Sequence, residues 1–196
     1  NNSEDLETHL KLIIEEFLKN KLLPPFAEFY SEKLKLKETK YSLLYDLIIV
    51  INIMSGNYND QIYGNKINNS KLQNLIDVIY NRDKNIRNYR LKNNLQHNTT
   101  NIFLNTHNTE LQRAILEASN GVYPVGMFSS KKMDEAFSKK QNGFILLNAI
   151  YLISSSTYTD IADLQIGLAS LVKLGLINDF KAISNELLIM EYFKKL

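Results

Sequence analysis

Four arginines serve the whole chain of 196 residues, and three of them, Arg82, Arg87 and Arg90, fall within nine positions beside Lys84 and Lys92. Tyr80 and Tyr89 are interleaved with them. Guanidinium forks grip phosphate through paired hydrogen bonds, and tyrosine rings stack on nucleobases. Segment 82–92 is therefore the candidate for binding nucleic acid or another anion, with Arg82, Lys84, Arg87, Tyr89, Arg90 and Lys92 as the contacts. If the segment is helical, Arg87 and Arg90 share a face and Lys84 sits one turn earlier. The same residues also suit a solvated helix flank, since Asp83 and several Asn are mixed in. With 23 basic against 21 acidic side chains the net charge is only +2, so no long-range field draws the molecule to a polyanion.

Catalytic constellations are sparse. His97 and His107 flank a polar stretch containing Thr99, Thr100 and Thr106, and a loop bringing them together could hold a metal or carry protons. No carboxylate stands at ligand spacing from them, and together with His9 they read as surface residues. Acids pair at Glu15 and Glu16, at Asp134 and Glu135, and at Asp160 and Asp163. Hydrolysis by paired acids needs two carboxylates converging in a cleft. Glu15 and Glu16 instead lie opposite the apolar face of their helix, and the favourable end of a helix dipole accounts for Asp160. No phosphate-binding glycine loop, paired-histidine zinc helix, dinucleotide fingerprint or nucleophile elbow can be written onto these residues. The absence of cysteine removes thiolate ligands, thiol nucleophiles and disulfides together. No catalytic residue, cofactor or metal ligand is assigned.

A second candidate is apolar. The connection Val122 to Phe128 carries Tyr123, Val125, Met127 and Phe128, unusually many large apolar side chains for a linker. Packed across helix ends it is a rigid connection, which is the expectation. Exposed, it would be a partner-docking patch.

The elements that must position these residues are helices. With 44% apolar residues the chain can bury a sizeable core, and its seven Gly and three Pro stand mostly where helices should end. Asn occupies 24 positions and Lys outnumbers Arg 19 to 4, a usage we read as AT-rich coding, which makes an Asn cluster weak grounds for a site.

The first helix is expected from Ser3 as cap, with Leu6, Leu10, Ile13 and Phe17 on its apolar face, until Pro24 and Pro25 stop it. A shorter helix follows over 26–36, ending in the charged stretch 33–40. The most apolar segment, 38–55, should form a central, surrounded helix closed by Gly56. Its longest apolar run, Leu43 to Met54, is too short for a bilayer span of about 20 residues.

A polar excursion is expected over 57–70 and another over 93–108. Between them Ser70 caps a helix through Leu72, Leu75, Ile76 and Ile79. Thr109 and Gln112 form a capping box for a helix that Gly121 ends. Ser129 or Ser130 caps a short helix with Met133, Ala136 and Phe137. Gly143 precedes a buried run, Phe144 to Ile153, ended by the cluster Ser154 to Thr157. Thr159 then caps a helix with Ile161, Leu164, Leu168 and Leu171 on one face, stopped by Gly175. Asn178 caps the last, with Phe180, Ile183, Leu187 and Met190 facing back as an antiparallel hairpin.

Lys173, Leu174, Gly175 and Leu176, with the leucines before them and Ala182 through Leu188 after, resemble the C-terminal helix pair of an uncharacterised bacterial α-helical family. The resemblance implies a repeat-like helical architecture and no catalytic residue. The expected fold is all-α, a single domain over 1–196, built as an irregular helical bundle or a short α-solenoid-like stack of antiparallel hairpins. The expected function is a non-catalytic bacterial interaction or scaffold module whose partner is another protein. Nucleic-acid binding through 82–92 is the alternative. An enzyme that gathers His97 or His107 with Glu110 or Glu117 is the third reading. Asn1 in place of Met suggests a trimmed product, soluble in the cytoplasm or exported after loss of a signal peptide.

Overall fold

The computed structural model describes residues 2–20, 22–31, 43–56, 58, 69–95, 109–155 and 160–194. Every regular element among them is a helix: α1 (Asn2–Lys19), α2 (Leu23–Tyr30), α3 (Leu43–Met54), α4 (Ser70–Leu95), α5 (Glu110–Ala118), α6 (Phe128–Ser138), α7 (Asn142–Ser155), α8 (Ile161–Lys173) and α9 (Ile177–Lys194). The chain is all-α, as the apolar spacing requires. The charged stretch 33–40, Thr157, Thr159, and the excursions over 57–68 (Tyr58 apart) and 96–108, with His97 and His107, lie outside the described residues.

Two compact units partition the chain, one of Asn1–Asp77 with Ala182–Leu196, the other Val78–Lys181. Both α4 and α9 contribute residues to each.

In the first unit α3 packs against α1 and α2. Tyr45, Leu47 through Ile51, Ile53 and Met54 are all buried, so α3 is enclosed on every side, which its nearly unbroken apolar run anticipates. The chain turns from α1 into α2 with the Phe17 and Phe26 rings 4.6 Å apart. Pro24 and Pro25 stand in the first turn of α2, where the missing amide donors cost nothing, so they start this helix as well as stopping the one before it. Among the described side chains of α1, Ile14 is buried, whereas Ile13, expected to face inward, is exposed.

Asn69, and not Ser70, caps α4. Its side chain accepts from the amides of Lys71 at 3.1 Å and Leu72 at 3.2 Å. Its Nδ2 also donates to Asp46 Oδ2 at 2.8 Å and lies 3.3 Å from the Tyr192 hydroxyl. One short amide thereby joins α3, α4 and α9. Burial pushes the Asp46 carboxyl above its usual range while the Asn69 bond works the other way.

The face that α9 buries also differs from expectation. Phe180, Ser184, Asn185, Leu188 and Tyr192 are buried, while Ile183, Leu187 and Met190 are half-exposed. Polar residues are tolerated inside because they are bonded; Asn185 Nδ2 donates to the Ile53 carbonyl at 2.8 Å. Asn178 lies within the first turn of α9 and does not precede it.

In the second unit α8 packs against α5, α6 and α7. It is buried without interruption from Leu164 to Val172. Asp160 caps it by accepting from the Asp163 amide at 3.3 Å. Gly167 lets α7 approach closely: a Cβ there would stand 2.9 Å from the Ala149 carbonyl oxygen and 2.7 Å from Ile153 Cγ1. Thr109 Oγ1 accepts from the Gln112 amide and Gln112 Oε1 from the Thr109 amide, each at 3.2 Å, so the capping box of α5 is complete. α5 and α8 end alike. Gly121 and Gly175 are left-handed, and the Val122 and Leu176 amides reach back to the Glu117 and Leu171 carbonyls. α6 ends the same way without a glycine, on Lys140 at φ 55°.

Candidate functional site

α4 carries the basic segment as a continuous helix through Leu95. Lys84, Arg87 and Arg90 are exposed along it. Arg82 is not: it is 0% exposed, which removes it from the residues that could reach a phosphate. Its Nη2 lies 2.9 Å and its Nε 3.0 Å from Asp83 Oδ1, and Lys181 Nζ holds the other oxygen of that carboxylate at 3.1 Å. A buried guanidinium needs such a counter-charge, and here the sequence neighbour supplies it. Tyr89 is also committed to packing. Its ring lies against Gly121, close enough that a Cβ would come within 2.8 Å of Cε2. The side chain of Lys92 lies outside the described residues. Among the described side chains the basic candidate thus contracts to Lys84, Arg87 and Arg90.

The connection between α5 and α6 is not packed away, contrary to expectation. Val125 is 100% and Phe128 81% exposed. The turn is nonetheless held firmly from behind. Gln165 Nε2 donates to the Val122 carbonyl at 3.1 Å and Ser130 Oγ to the Pro124 carbonyl at 2.9 Å. The helix begins earlier than expected, at Phe128, so Ser129 and Ser130 lie inside its first turn and Met127 occupies the cap position without a side-chain bond.

Tyr123 is a third anchor. Its hydroxyl meets Ser170 Oγ at 2.9 Å, and Ser170 in turn donates to the Ile166 carbonyl at 2.8 Å. Lys173 Nζ lies 3.6 Å from the Tyr123 ring centroid and 3.0 Å from Asp134 Oδ1, a cation held between an aromatic face and a carboxylate. Burial drives the phenol well above its ordinary range, so the hydroxyl stays neutral and bonded. Tyr123 belongs to the brace, Met127 is half-buried, and Val125 and Phe128 form the presented tip.

α7 continues this apolar surface. Read as a buried run, it is buried only at Ile145, Ala149 and Leu152. Leu147 is 70%, Tyr151 66%, Ile150 53% and Phe144 38% exposed. Lys132, one turn beyond Phe128 on α6, places its Nζ 5.1 Å from the Phe144 ring centroid, which ties the start of α6 to the start of α7. These α7 residues were missed because a helix apolar on all sides ordinarily signals full burial. The one sequence signal was polar: Asn148 interrupts the run, and Ser154 and Ser155 follow it within the same helix.

A cavity of about 150 Å³ lies along α5 and α8, lined by Glu110, Arg113, Ala114, Glu117, Ile161 and Gln165. Glu117 Oε2 accepts from Gln165 Nε2 at 2.8 Å, so one of its two acids is already engaged in joining the helices. Glu110 and Glu117 do share this recess. The histidines proposed to join them lie outside the described residues. Among the described residues, no three His, Asp or Glu side chains gather as a metal site requires, and no helix is long and apolar enough to cross a membrane.

No protein family, curated protein or solved structure matches this chain. The resemblance of the C-terminal hairpin therefore rests on that hairpin alone.

Proposed function

We propose that the chain is a non-catalytic protein-interaction module that docks its partner on the surface formed by α7 and the Val125–Phe128 turn. One observation carries the reading: Leu147, Ile150, Tyr151 and Phe128 are uncovered on a unit whose other large apolar residues are mostly buried. Isolated exposed apolar side chains are ordinary, but several along one helix, continued by a braced turn, are the mark of a docking surface. The test is affinity capture by the wild-type chain against the double variant L147D/Y151D. The expected result is a protein retained by the first and lost by the second. Equal capture by both, with turnover of a small metabolite by the purified chain, overturns the reading.

A second reading has its own support in Lys84, Arg87 and Arg90, which stand exposed along one helix. It makes α4 an anion-binding edge for nucleic acid. Replacing Arg87 and Arg90 by Ala then lowers the slope of log affinity against log salt by roughly 2. No retention of RNA or DNA at low salt ends it.

A further inference from the structure

The occupant of the α7 surface can be named. Building on the interaction reading, we infer that this face pairs with its counterpart on a second copy of the chain, α7 against α7 and antiparallel about a twofold axis.

Three observations point there. The first is spacing. Phe144, Leu147, Tyr151 and Ser154 follow one another at intervals of three, four and three, the seam by which one helix lies along another at a shallow angle. An antiparallel pairing of that seam with itself sets Leu147 against Tyr151 of the second copy and Phe144 against Ser154. Each large side chain then meets a smaller one, which is the self-complementarity an isologous contact demands.

The second observation is charge. α7 contains no Asp, Glu, Lys or Arg, so bringing two copies together opposes no like charges along the seam. Three of its polar side chains are already turned onto their own helix. Asn148 Nδ2 donates to the Phe144 carbonyl at 2.8 Å, and Ser154 and Ser155 donate to the Tyr151 carbonyl at 3.1 and 2.6 Å. Covering these donors strands none of them, which lowers the desolvation cost that normally opposes burial of serine and asparagine.

The third is area. A fully exposed aromatic side chain offers roughly 150–250 Å² and an aliphatic one somewhat less. The exposed fractions leave roughly 450 Å² on α7, and roughly 300 Å² more on Val125 and Phe128. Two copies meeting through α7 alone would hide roughly 900 Å², below the range of stable specific interfaces, whereas α7 with the turn hides roughly 1,500 Å², within it. The braced turn is thus part of the interface, extending past Phe144 over the end of the second copy's helix.

Sedimentation velocity on the full chain over a concentration series tests this. The expected result is a reversible monomer–dimer equilibrium whose midpoint rises at least about tenfold in L147D, and separately in I150D, while L91D, on the exposed side of α4, leaves it unchanged. The cysteine-free chain permits a sharper arm: a mixture of L147C and Y151C forms the intermolecular disulfide faster than either variant alone. A monomer at every concentration, or a dimer indifferent to L147D, overturns the pairing. If that monomer still captures another protein in an L147-dependent way, self-pairing alone falls and the interaction reading stands. If the face instead binds only phosphatidylcholine vesicles, both fall.

Discussion

Helix α7 contains no charged residue, whereas α8 carries Asp163 and Lys173, yet α8 is buried continuously from Leu164 to Val172 and α7 leaves Leu147, Ile150 and Tyr151 uncovered. The two lie against each other, joined where Gly167 admits the α7 backbone. Their difference follows from neighbours. Among the described residues α8 packs closely with α5, α6 and α7, whereas the close packing of α7 is with α6 and α8. Apolar content measures what a helix would gain by burial; the number of elements able to reach it measures what it receives.

Substitutions that exploit this contrast rank by size. Leu168→Ala opens a cavity in the fully enclosed face of α8 and should cost about 3 kcal/mol in urea unfolding. A cost under about 1 kcal/mol would mean that α8 is not the center of its unit. Gly167→Ala comes next. Helix propensity alone favours Ala by about 1 kcal/mol, but the new methyl meets the Ala149 carbonyl, which cannot move without shifting α7. We expect a net loss of about 2 kcal/mol, and a gain in Tm would show that the two helices are not so close.

Tyr123→Phe deletes the hydroxyl bonded to Ser170, one of two polar ties between α8 and the turn, the other being Gln165 to the Val122 carbonyl. A loss of about 1 kcal/mol is expected, together with faster amide exchange at Val125 and Gly126. Leu147→Ala, measured at a concentration where the chain is monomeric, should change stability by no more than about 0.5 kcal/mol. Equality between Leu147→Ala and Leu168→Ala would erase the comparison from which the docking surface is drawn.

Much of the architecture was legible locally because local chemistry enforces it. Thr109 and Gln112 satisfy each other's amides whatever lies elsewhere, and Gly121 and Gly175 take left-handed conformations that few other residues enter cheaply. The nearly unbroken apolar run of α3 is enclosed, as its composition favours. Where several polar residues could serve, the reading slipped by a position: Ser70 is a good cap, but Asn69 reaches the amides and also Asp46. Lys140 ends α6 in a conformation that nothing about lysine announces. The basic segment was visible as a cluster, but its division between buried Arg82 and exposed Arg87 and Arg90 was not, because Asp83 and Lys181, 98 residues apart in sequence, decide it.

From its residues alone, then, this chain was bound to be helical, with helix ends at Gly56, Gly121 and Gly175 and a helix start at Pro24 and Pro25, since capping, proline ring geometry and apolar spacing act over a few positions. Which side of each helix faces inward was settled by tertiary packing. Ile14 in place of Ile13, Ser184 and Asn185 inside and Ile183 half-out, and the open face of α7 all depend on which helices arrive as neighbours, and that information is spread over contacts between residues far apart in sequence.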